Sequence, residues 1–238
     1  MTREEMLGRV RRALGGAPAP DLAAAPAQLP LAGASGGPLR AGRAAPPGHA
    51  TSALLDRFTA EARAVGAVVH LAADVAAAAE ILARLARGAA PSCRVVGWRT
   101  PLVSDVVTVA RNATAELDVR FADDPEAAIA DVDVGITEVD ALVAESGTLV
   151  LGAAGGRHRS TSLLPRMHVA LARTDQLVAD LAAAFRRASE GACGGACTTL
   201  ITGPSRTADI EKKLVIGVHG PCELHVIVLG GRAVGDPS

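Results

Sequence analysis

The chain has 238 residues, of which 49% are hydrophobic, and this is enough apolar material for one sizeable core. Its 24 lysines and arginines nearly balance 25 aspartates and glutamates, so the net charge is −1 and lacks the basic excess typical of nucleic-acid-binding proteins. Charged residues, Gly or Pro interrupt each apolar run before it reaches roughly 18 residues, which argues against a membrane-spanning helix.

The start of the chain and its cysteines predict a cytoplasmic protein with no bound metal and no cofactor. Residues 1–15 mix acidic and basic side chains and lack the apolar stretch of a secretory signal. The chain has 4 cysteines, too few for a disulfide framework at this length, and reduced thiols are typical of the cytoplasm. Cys193 and Cys197 flank Gly-Gly-Ala, and no adjacent pair completes a set of four metal ligands, so we interpret them as part of a glycine-rich loop.

The first fifty residues predict a short helix followed by a linker. Met6, Val10 and Leu14 recur at four-residue spacing between charged residues, which is typical of an amphipathic helix over residues 1–14. Residues 15–50 are rich in Ala, Pro and Gly, so their burial would not offset the entropy lost on ordering them. We therefore expect a linker over 15–50 and the principal domain over 51–238.

Helical and strand patterns alternate from Thr51 onward, which predicts an α/β fold with a mostly parallel sheet. The first half predicts helices near 54–65, 76–87 and 103–114 and strands at 67–72, 93–98 and 119–122. The second half predicts one helix at 175–188 and strands at 132–137, 141–145, 148–152, 168–173, 198–202 and 224–229. Because open α/β sheets bind ligands at the carboxyl ends of their strands, the loops that follow strands are the first candidates for a site.

The first candidate loop is the tight break between the strands at 141–145 and 148–152. It contains Glu145, Ser146, Gly147 and Thr148. The glycine permits a backbone geometry that would aim the Glu145 carboxylate into a cleft. Equally, Glu145 would cap a hairpin and face only solvent.

The second candidate loop precedes the strand that starts at His168. It is rich in polar residues, namely Arg157, His158, Arg159, Ser160 and Ser162. Arginine binds carboxylates and phosphates bidentately, and His168 would act as a proton donor or as a hydrogen-bond anchor. A histidine at the start of a strand is, however, more often structural than catalytic.

The third candidate loop, Gly203 to Thr207, follows the strand at 198–202 and leads into ADIEKKL, which is able to begin a helix. Free backbone N–H groups at such a helix start suit an anion, although the loop is not the GxxxxGK[ST] phosphate motif. Alternatively, Ser205 or Thr207 caps the helix and Asp209 favours its dipole. His219, before the last strand, is either part of a turn or a third polar wall, and His225 within that strand is interpreted as a core residue.

Five motifs occur in order along these loops: GIT, AESGTLVL, SLLPRMH, GPSRTADIE and GVHGP. Their order and spacing resemble the LUD domain of the lactate utilization protein C family. The resemblance extends from about residue 50 to the end, and five ordered motifs are far more specific than any one of them. Ser146 stands where the family motif has Thr, a substitution that keeps the hydroxyl.

The resemblance implies a three-layer α/β/α sheet similar to the fold of ribose-5-phosphate isomerase and coenzyme A transferases. It also implies a non-redox subunit of a lactate-utilisation system that oxidises L-lactate to pyruvate. The larger subunits of such a system carry iron–sulfur clusters, whose CxxCxxC runs this chain lacks. Two alternatives stay open: an independent transferase-like or isomerase-like enzyme with Glu145 as nucleophile or base, and a ligand-sensing module.

We expect the candidate residues to converge on one cleft at the strand ends, where a small carboxylate or phosphate binds. Four residues are expected to hold the anion: Gly203, Ser205, Arg206 and Thr207. Two are expected to handle protons: Glu145 and His168. Four more are expected to complete the cleft: Ser146, Thr148, Asp209 and His219.

Overall fold

The computed structural model describes residues 47–90, 92–113, 117–124, 132–187, 197–208, 214–216 and 220–230. The predicted N-terminal helix and most of the predicted linker lie outside these ranges, as do Cys193, Asp209 and His219. No helix within these ranges has both the length and the apolar character needed to cross a membrane.

Helices and strands alternate in the first half of the chain, as the sequence predicted. They are α1 (Pro47–Ala64), β1 (Val68–Ala72), α2 (Val75–Ala89), β2 (Arg94–Gly97), α3 (Pro101–Ala113) and β3 (Asp118–Phe121). In the second half, strands are more frequent. The elements are β4 (Val134–Glu138), β5 (Ala141–Val143), β6 (Thr148–Ala153), α4 (Ser160–Leu163), β7 (Met167–Arg173), β8 (Leu177–Val178), α5 (Leu181–Arg187), β9 (Cys197–Ile201), β10 (Arg206–Ala208), β11 (Leu214–Ile216) and β12 (Glu223–Leu229).

A parallel sheet of six strands forms the centre of the described structure, in the order β1, β12, β7, β4, β2, β3. Met167 pairs with Glu223 on one side and with Val134 on the other, so the amino ends of β12, β7 and β4 are level. A smaller sheet has the order β8, β5, β6, β9, and β10 pairs with β11. The predicted α/β class with a mostly parallel central sheet is therefore confirmed.

Alternate residues of each central strand face opposite layers, as the twofold side-chain period requires. On one face, Val169 of β7 belongs to a core that includes Leu82 of α2 and Val106 of α3. On the other face, Ala170 packs with Phe58 of α1 and with a residue of the small sheet, Leu149. One outer layer is therefore helical, whereas the other combines a helix with a sheet.

Helix α1 begins at Pro47, inside the segment that the sequence predicted as linker. Proline is suited to the first helical position because its fixed φ matches the helix and its missing N–H would have no intrahelical acceptor there. The local Pro and Gly content therefore obscured a helix whose apolar face is recruited by the core through Leu55, Phe58 and Ala62.

The helix predicted at 175–188 is wrong in its first half. Residues Thr174–Gln176 form a 3₁₀ turn, and Leu177 and Val178 then pair in parallel with Leu142 and Val143 of β5. A helix follows only from Leu181. Pairing with β5 satisfies backbone groups that a helix would have used, so a tertiary contact overrides the local helical pattern.

Most of the segment ADIEKKL, where the sequence predicted the start of a helix, lies outside the described residues. Arg206, Thr207 and Ala208 pair antiparallel with Ile216, Val215 and Leu214. Both flanks of the predicted helical segment are therefore strands, which suits the β-branched residues on either side. Thr207 belongs to a strand pair and not to the free amino end of a helix.

Candidate functional site

A cavity of about 220 Å³ lies beside the amino ends of β7 and β12. The residues that line it include Ser162, His168, Thr202, Gly203, Ser205 and Leu224. His168 and Leu224 are direct partners across the two parallel strands, so their side chains point to the same face of the sheet. Three of the five sequence motifs therefore meet in one cavity.

His168 is the polar group at the base of this site. Its side chain is 1% exposed, and its Nε2 lies 2.8 Å from Oγ1 of Thr137, which is 0% exposed. Among the described residues, Nδ1 of His168 has no hydrogen-bond partner. Burial lowers the pKa of His168 to about 3, so the imidazole is neutral at physiological pH. The second nitrogen is enclosed beside the cavity and has almost no accessible surface.

A glycine on β4 allows helix α4, which contributes one polar wall of the cavity, to approach the sheet. Gly135 pairs with His168, and a Cβ at position 135 would overlap the carbonyl oxygen of Thr161 in α4. Glycine therefore lets α4 pack directly on the strand and brings Ser162 to the cavity. The hydroxyl of Ser162 donates to the carbonyl of Arg159 at 3.0 Å, which leaves its lone pairs for a ligand.

Another wall of the cavity is formed where the motifs GPSRTADIE and GVHGP meet. Gly203 has φ +80°, and a Cβ there would overlap the carbonyl oxygen of Val65. The N–H of Ser205 donates to the carbonyl of Pro221 at 2.9 Å. A Cβ on Gly220 would lie 2.9 Å from Cβ of Ser205, so glycine is needed for this approach.

A chain of hydroxyls links the first sequence motif to the cavity. Ser146 Oγ lies 2.8 Å from Thr148 Oγ1, which lies 2.8 Å from Thr202 Oγ1. Thr202 lines the cavity, whereas Ser146 and Thr148 stand behind it. Each hydroxyl in the chain can both donate and accept, so the row orients Thr202 without introducing a charge.

Glu145 has a different environment from the one that the sequence suggested. Its Oε1 accepts a hydrogen bond from the N–H of Leu181 at 2.9 Å, and its own N–H donates to Ala179 at 3.1 Å. The carboxylate is exposed and stabilises the start of α5; it is not among the residues that line the cavity. The structure therefore brings His168 and Ser205 together but does not place Glu145 with them.

The remaining predicted residues either do not line the cavity or lie outside the described residues. The exposed Arg206 donates from its guanidinium to the carbonyl of Val65, and it is not part of the described cavity lining. Thr207 lies in β10, and Asp209 and His219 are outside the described residues. Sequence reasoning had not singled out Thr137, Thr202 or Leu224. The only available signal for Thr137 was a hydroxyl within the GIT motif.

The carboxyl ends of the central strands, where the sequence placed the cleft, hold a cluster of paired groups. The side chain of Asp140 is 6% exposed and accepts from Arg157 at 2.8 Å and from the N–H of Gly152. The Arg157 guanidinium also lies 5.5 Å from the centre of the Trp98 ring. Within the described ranges, no three His, Cys, Asp or Glu side chains are grouped closely enough to hold a metal ion. The cavity lined by His168, whose Nδ1 is unpaired, lies at the amino ends instead.

These features define an α/β protein with a polar cavity at the amino ends of a parallel sheet. The family model described as the LUD domain matches residues 55–229, and the chain therefore belongs to the LUD domain family. The family resemblance inferred from the five motifs is thus confirmed.

Several curated relatives are named lactate utilization protein C. Lactate utilization protein C of Shouchella clausii is 45% identical over 103 residues, which are 42% of this chain and 45% of the relative. The protein of the same name from Bacillus subtilis is 38% identical over 104 residues, covering 42% of this chain and 43% of the relative. The matched segments thus span less than half of these relatives.

A solved structure shares the fold. The crystal structure of a DUF162 family protein from Deinococcus radiodurans superimposes with a TM-score of 0.56 at 24% sequence identity. The match covers 76% of this chain and 98% of that chain. At this identity, the likeness establishes the architecture alone.

Proposed function

We propose that this protein is a non-redox component of a cytoplasmic lactate-utilisation system, and that it binds a small carboxylate or phosphate ligand in the cavity at His168. Membership of the LUD domain family and relatives named lactate utilization protein C support the metabolic role. Iron–sulfur subunits that oxidise L-lactate to pyruvate are the partners that this role implies. The likeness to ribose-5-phosphate isomerase and coenzyme A transferases stays a prediction.

The observation that carries ligand binding is the unpaired Nδ1 of His168. Buried polar atoms in folded proteins are nearly always hydrogen-bonded, and an unsatisfied one costs about 1–3 kcal/mol. His168 lines a cavity of about 220 Å³, large enough for a small metabolite. Nδ1 has almost no accessible surface, so a ligand oxygen would reach it after a small shift of the cavity wall and would then be the partner that the described protein residues do not supply.

The cavity combines polar and apolar walls in the way that small-molecule sites usually do. Ser205 provides a hydroxyl that can donate, whereas the hydroxyl hydrogen of Ser162 goes to the carbonyl of Arg159. Leu224 provides an apolar surface beside His168. Hydrogen bonds to an ionised oxygen are stronger than those between neutral groups, so a few well-placed donors suffice to hold a carboxylate. The division of roles predicted from the sequence therefore changes: His168 and the hydroxyls bind the ligand, and Glu145 supports a helix.

The test is growth on lactate combined with ligand binding by the purified chain. A strain that lacks the gene is complemented with wild-type protein, His168→Leu or His225→Leu, and the chains are titrated with lactate, pyruvate and inorganic phosphate. His225 is the matched control, because it is also buried but faces the opposite side of the sheet. We expect His168→Leu alone to abolish both growth and the ligand-induced rise in melting temperature.

Two outcomes would contradict this proposal. Normal growth on lactate without the gene would show that the protein is not needed for lactate utilisation. Equal binding by wild type and His168→Leu would show that the ligand does not bind in this cavity. If the purified chain exchanged acyl groups of coenzyme A by itself, the result would instead support an independent enzyme.

A further inference from the structure

The two outer strands of the central sheet, β1 and β3, differ in how their free edges are protected. Strand β3 carries Asp118 and Arg120, whose side chains are about half exposed and lie 3.8 Å apart. The N–H of Phe121 on the same strand donates to the carboxylate of Asp124 at 3.0 Å. Charged side chains and occupied backbone donors of this kind discourage the pairing of a further strand. The β3 edge is therefore closed to a partner.

Strand β1 lacks this protection among the described residues. The carbonyl of Ala72 accepts from the N–H of Gly230 at the end of β12, so the backbone groups of Ala72 face β12. Because successive residues of a strand direct these groups to opposite sides, Val69 and Leu71 direct theirs to the outer edge. In the described ranges, no backbone hydrogen bond joins Val69 or Leu71 to a residue on that side.

The side chains of β1 also suit pairing with another strand. The segment Val68–Ala72 contains no proline, lysine, arginine or carboxylate, and Val68 is 45% exposed. Nε2 of His70 lies 3.1 Å from Nδ1 of His225, and the two rings stack. Burial lowers the pKa of His70 to about 4, so the ring is neutral at physiological pH. The middle of the edge therefore brings no charge to a partner strand.

The two terminal segments of the chain are poorly suited to occupy this edge. Residues 1–14 have a helical period, and residues 15–46 are rich in Ala, Pro and Gly. Residues 231–238 contain two glycines, a proline and an aspartate within eight positions. These residue types are depleted in strands. A strand from outside the chain is therefore the better candidate.

Strand β1 is complementary to a second copy of itself. If two copies run antiparallel with His70 at the centre, Val69 of each lies opposite Leu71 of the other. Both residues direct their backbone groups outward, so each such pair exchanges both of its N–H···O bonds. In the same register the exposed Val68 faces the small side chain of Ala72. The outward groups of Val69 and Leu71 are all satisfied by this one arrangement.

We propose that β1 is a dimerisation edge, at which two copies of this chain pair their β1 strands antiparallel about a twofold axis at His70. The central sheets of the two copies then form one continuous sheet. The contact is isologous, because the same residues of both copies meet, and it closes after two copies without leaving the edge open to a third. This explains why β3 carries protective charges and β1 does not.

The first experiment measures the register by disulfide cross-linking of the full chain. His70→Cys should link to its own copy, because opposed residues of a non-hydrogen-bonded pair have Cα atoms about 4.5 Å apart, within the span of a disulfide. Val68→Cys is the matched control, since in this register it lies about 13 Å from its own copy and should not link. Peptide mass spectrometry distinguishes these links from those of the native cysteines.

The second experiment measures dimer dissociation by sedimentation equilibrium at micromolar concentrations. Leu71→Pro removes an outward N–H from each copy but no hydrogen bond of the ladder with β12. It should raise the dissociation constant of the dimer at least about tenfold. Val119→Pro removes an outward N–H of β3 and should leave the constant unchanged. Circular dichroism checks that both variants are folded.

Three results would overturn the inference: a wild-type chain that is monomeric throughout, a dimer in which His70→Cys does not link, and a folded Leu71→Pro that dimerises as wild type does. If only a chain that begins at residue 47 dimerises, the amino-terminal residues occupy β1 and the inference is also wrong. If His70→Cys does not fold, Val68→Cys combined with Ala72→Cys replaces it, because these positions face each other. If Leu71→Pro does not fold, the cross-links decide.

Discussion

Buried polar groups at the two ends of the central sheet differ in how fully they are hydrogen-bonded. At the carboxyl ends, Asp140 accepts hydrogen bonds from both Arg157 and Gly152, and Arg157 packs over Trp98. At the amino ends, His168 has one nitrogen bonded to Thr137 and one without a partner among the described residues. Ligands of open α/β sheets usually bind at the carboxyl ends, yet the cavity beside the unpaired nitrogen of His168 lies at the amino ends.

A second cavity at the amino ends, on the opposite face of the sheet, sharpens this comparison. It is lined in part by His225, whose Nδ1 lies 3.1 Å from Nε2 of His70 and whose Nε2 lies 3.6 Å from Glu223. Burial lowers the pKa of His70 to about 4, and the neighbouring His225 adds to this effect. Both nitrogens of His225 thus have neighbours within the protein, whereas His168 has a nitrogen that does not.

The largest expected effect is at the carboxyl ends. Asp140→Ala should lower the free energy of unfolding by about 3 kcal/mol, because removing one partner of a buried ion pair leaves the other uncompensated. The loss stays at the low end of the usual range since Arg157 is 30% exposed. Urea denaturation measures the change, and the ligand binding proposed at His168 should be unaffected.

Asp123→Ala is the control for this variant. Asp123 pairs with Arg99 at 3.0 Å on the same edge of the sheet, but both side chains are solvent-exposed. Its removal should leave the unfolding midpoint nearly unchanged. An equal loss of stability in the two variants would show that burial does not distinguish the Asp140 pair.

An intermediate effect is the pH dependence of stability caused by His168. Its pKa is about 3 in the folded chain and near 6.5 when unfolded, so below pH 6.5 the unfolded state binds a proton that the folded state does not. Stability should therefore fall as the pH decreases from 6.5 towards 3, by up to about 1.4 kcal/mol per pH unit.

Urea unfolding of wild type and His168→Leu at several pH values between 7 and 4 measures this contribution. The slope should be shallower in His168→Leu, although His70 and His225 will leave a residual dependence because burial lowers their pKa values as well. Parallel slopes in the two proteins would mean that His168 is accessible to protons in the folded state.

The smallest effect is expected at Glu145. Glu145→Ala should lower stability by about 0.5–1 kcal/mol through loss of the hydrogen bond to the start of α5. Glu145→Gln keeps an acceptor oxygen and should change stability less, and neither variant should impair growth on lactate. If Glu145→Gln abolished growth while remaining folded, the carboxylate would perform chemistry and the structural interpretation of Glu145 would be wrong.

Individual residues show how far sequence reasoning reached the candidate site. The motifs around His168, Gly203 and Ser205 were recognised because a polar loop beside an apolar strand is visible in one dimension. Thr137 was missed, since a threonine in a buried strand looks like an ordinary core residue until its partner across the sheet is known. Glu145 was overestimated because a carboxylate near a strand end resembles a catalytic group, whereas its acceptor role depends on Leu181, which is 36 positions away.

By itself, the sequence determined the fold class, most strands of the parallel sheet and the family, because apolar periodicity and ordered motifs are local properties of the chain. The tertiary structure alone decided that residues 174–178 do not form an α-helix, that Arg206–Ala208 pair as a strand and that the cavity lies at the amino ends. Each of these features depends on backbone or side-chain partners that are distant in sequence. Hydrogen-bond partners across strands are set by register and packing, which no local pattern specifies.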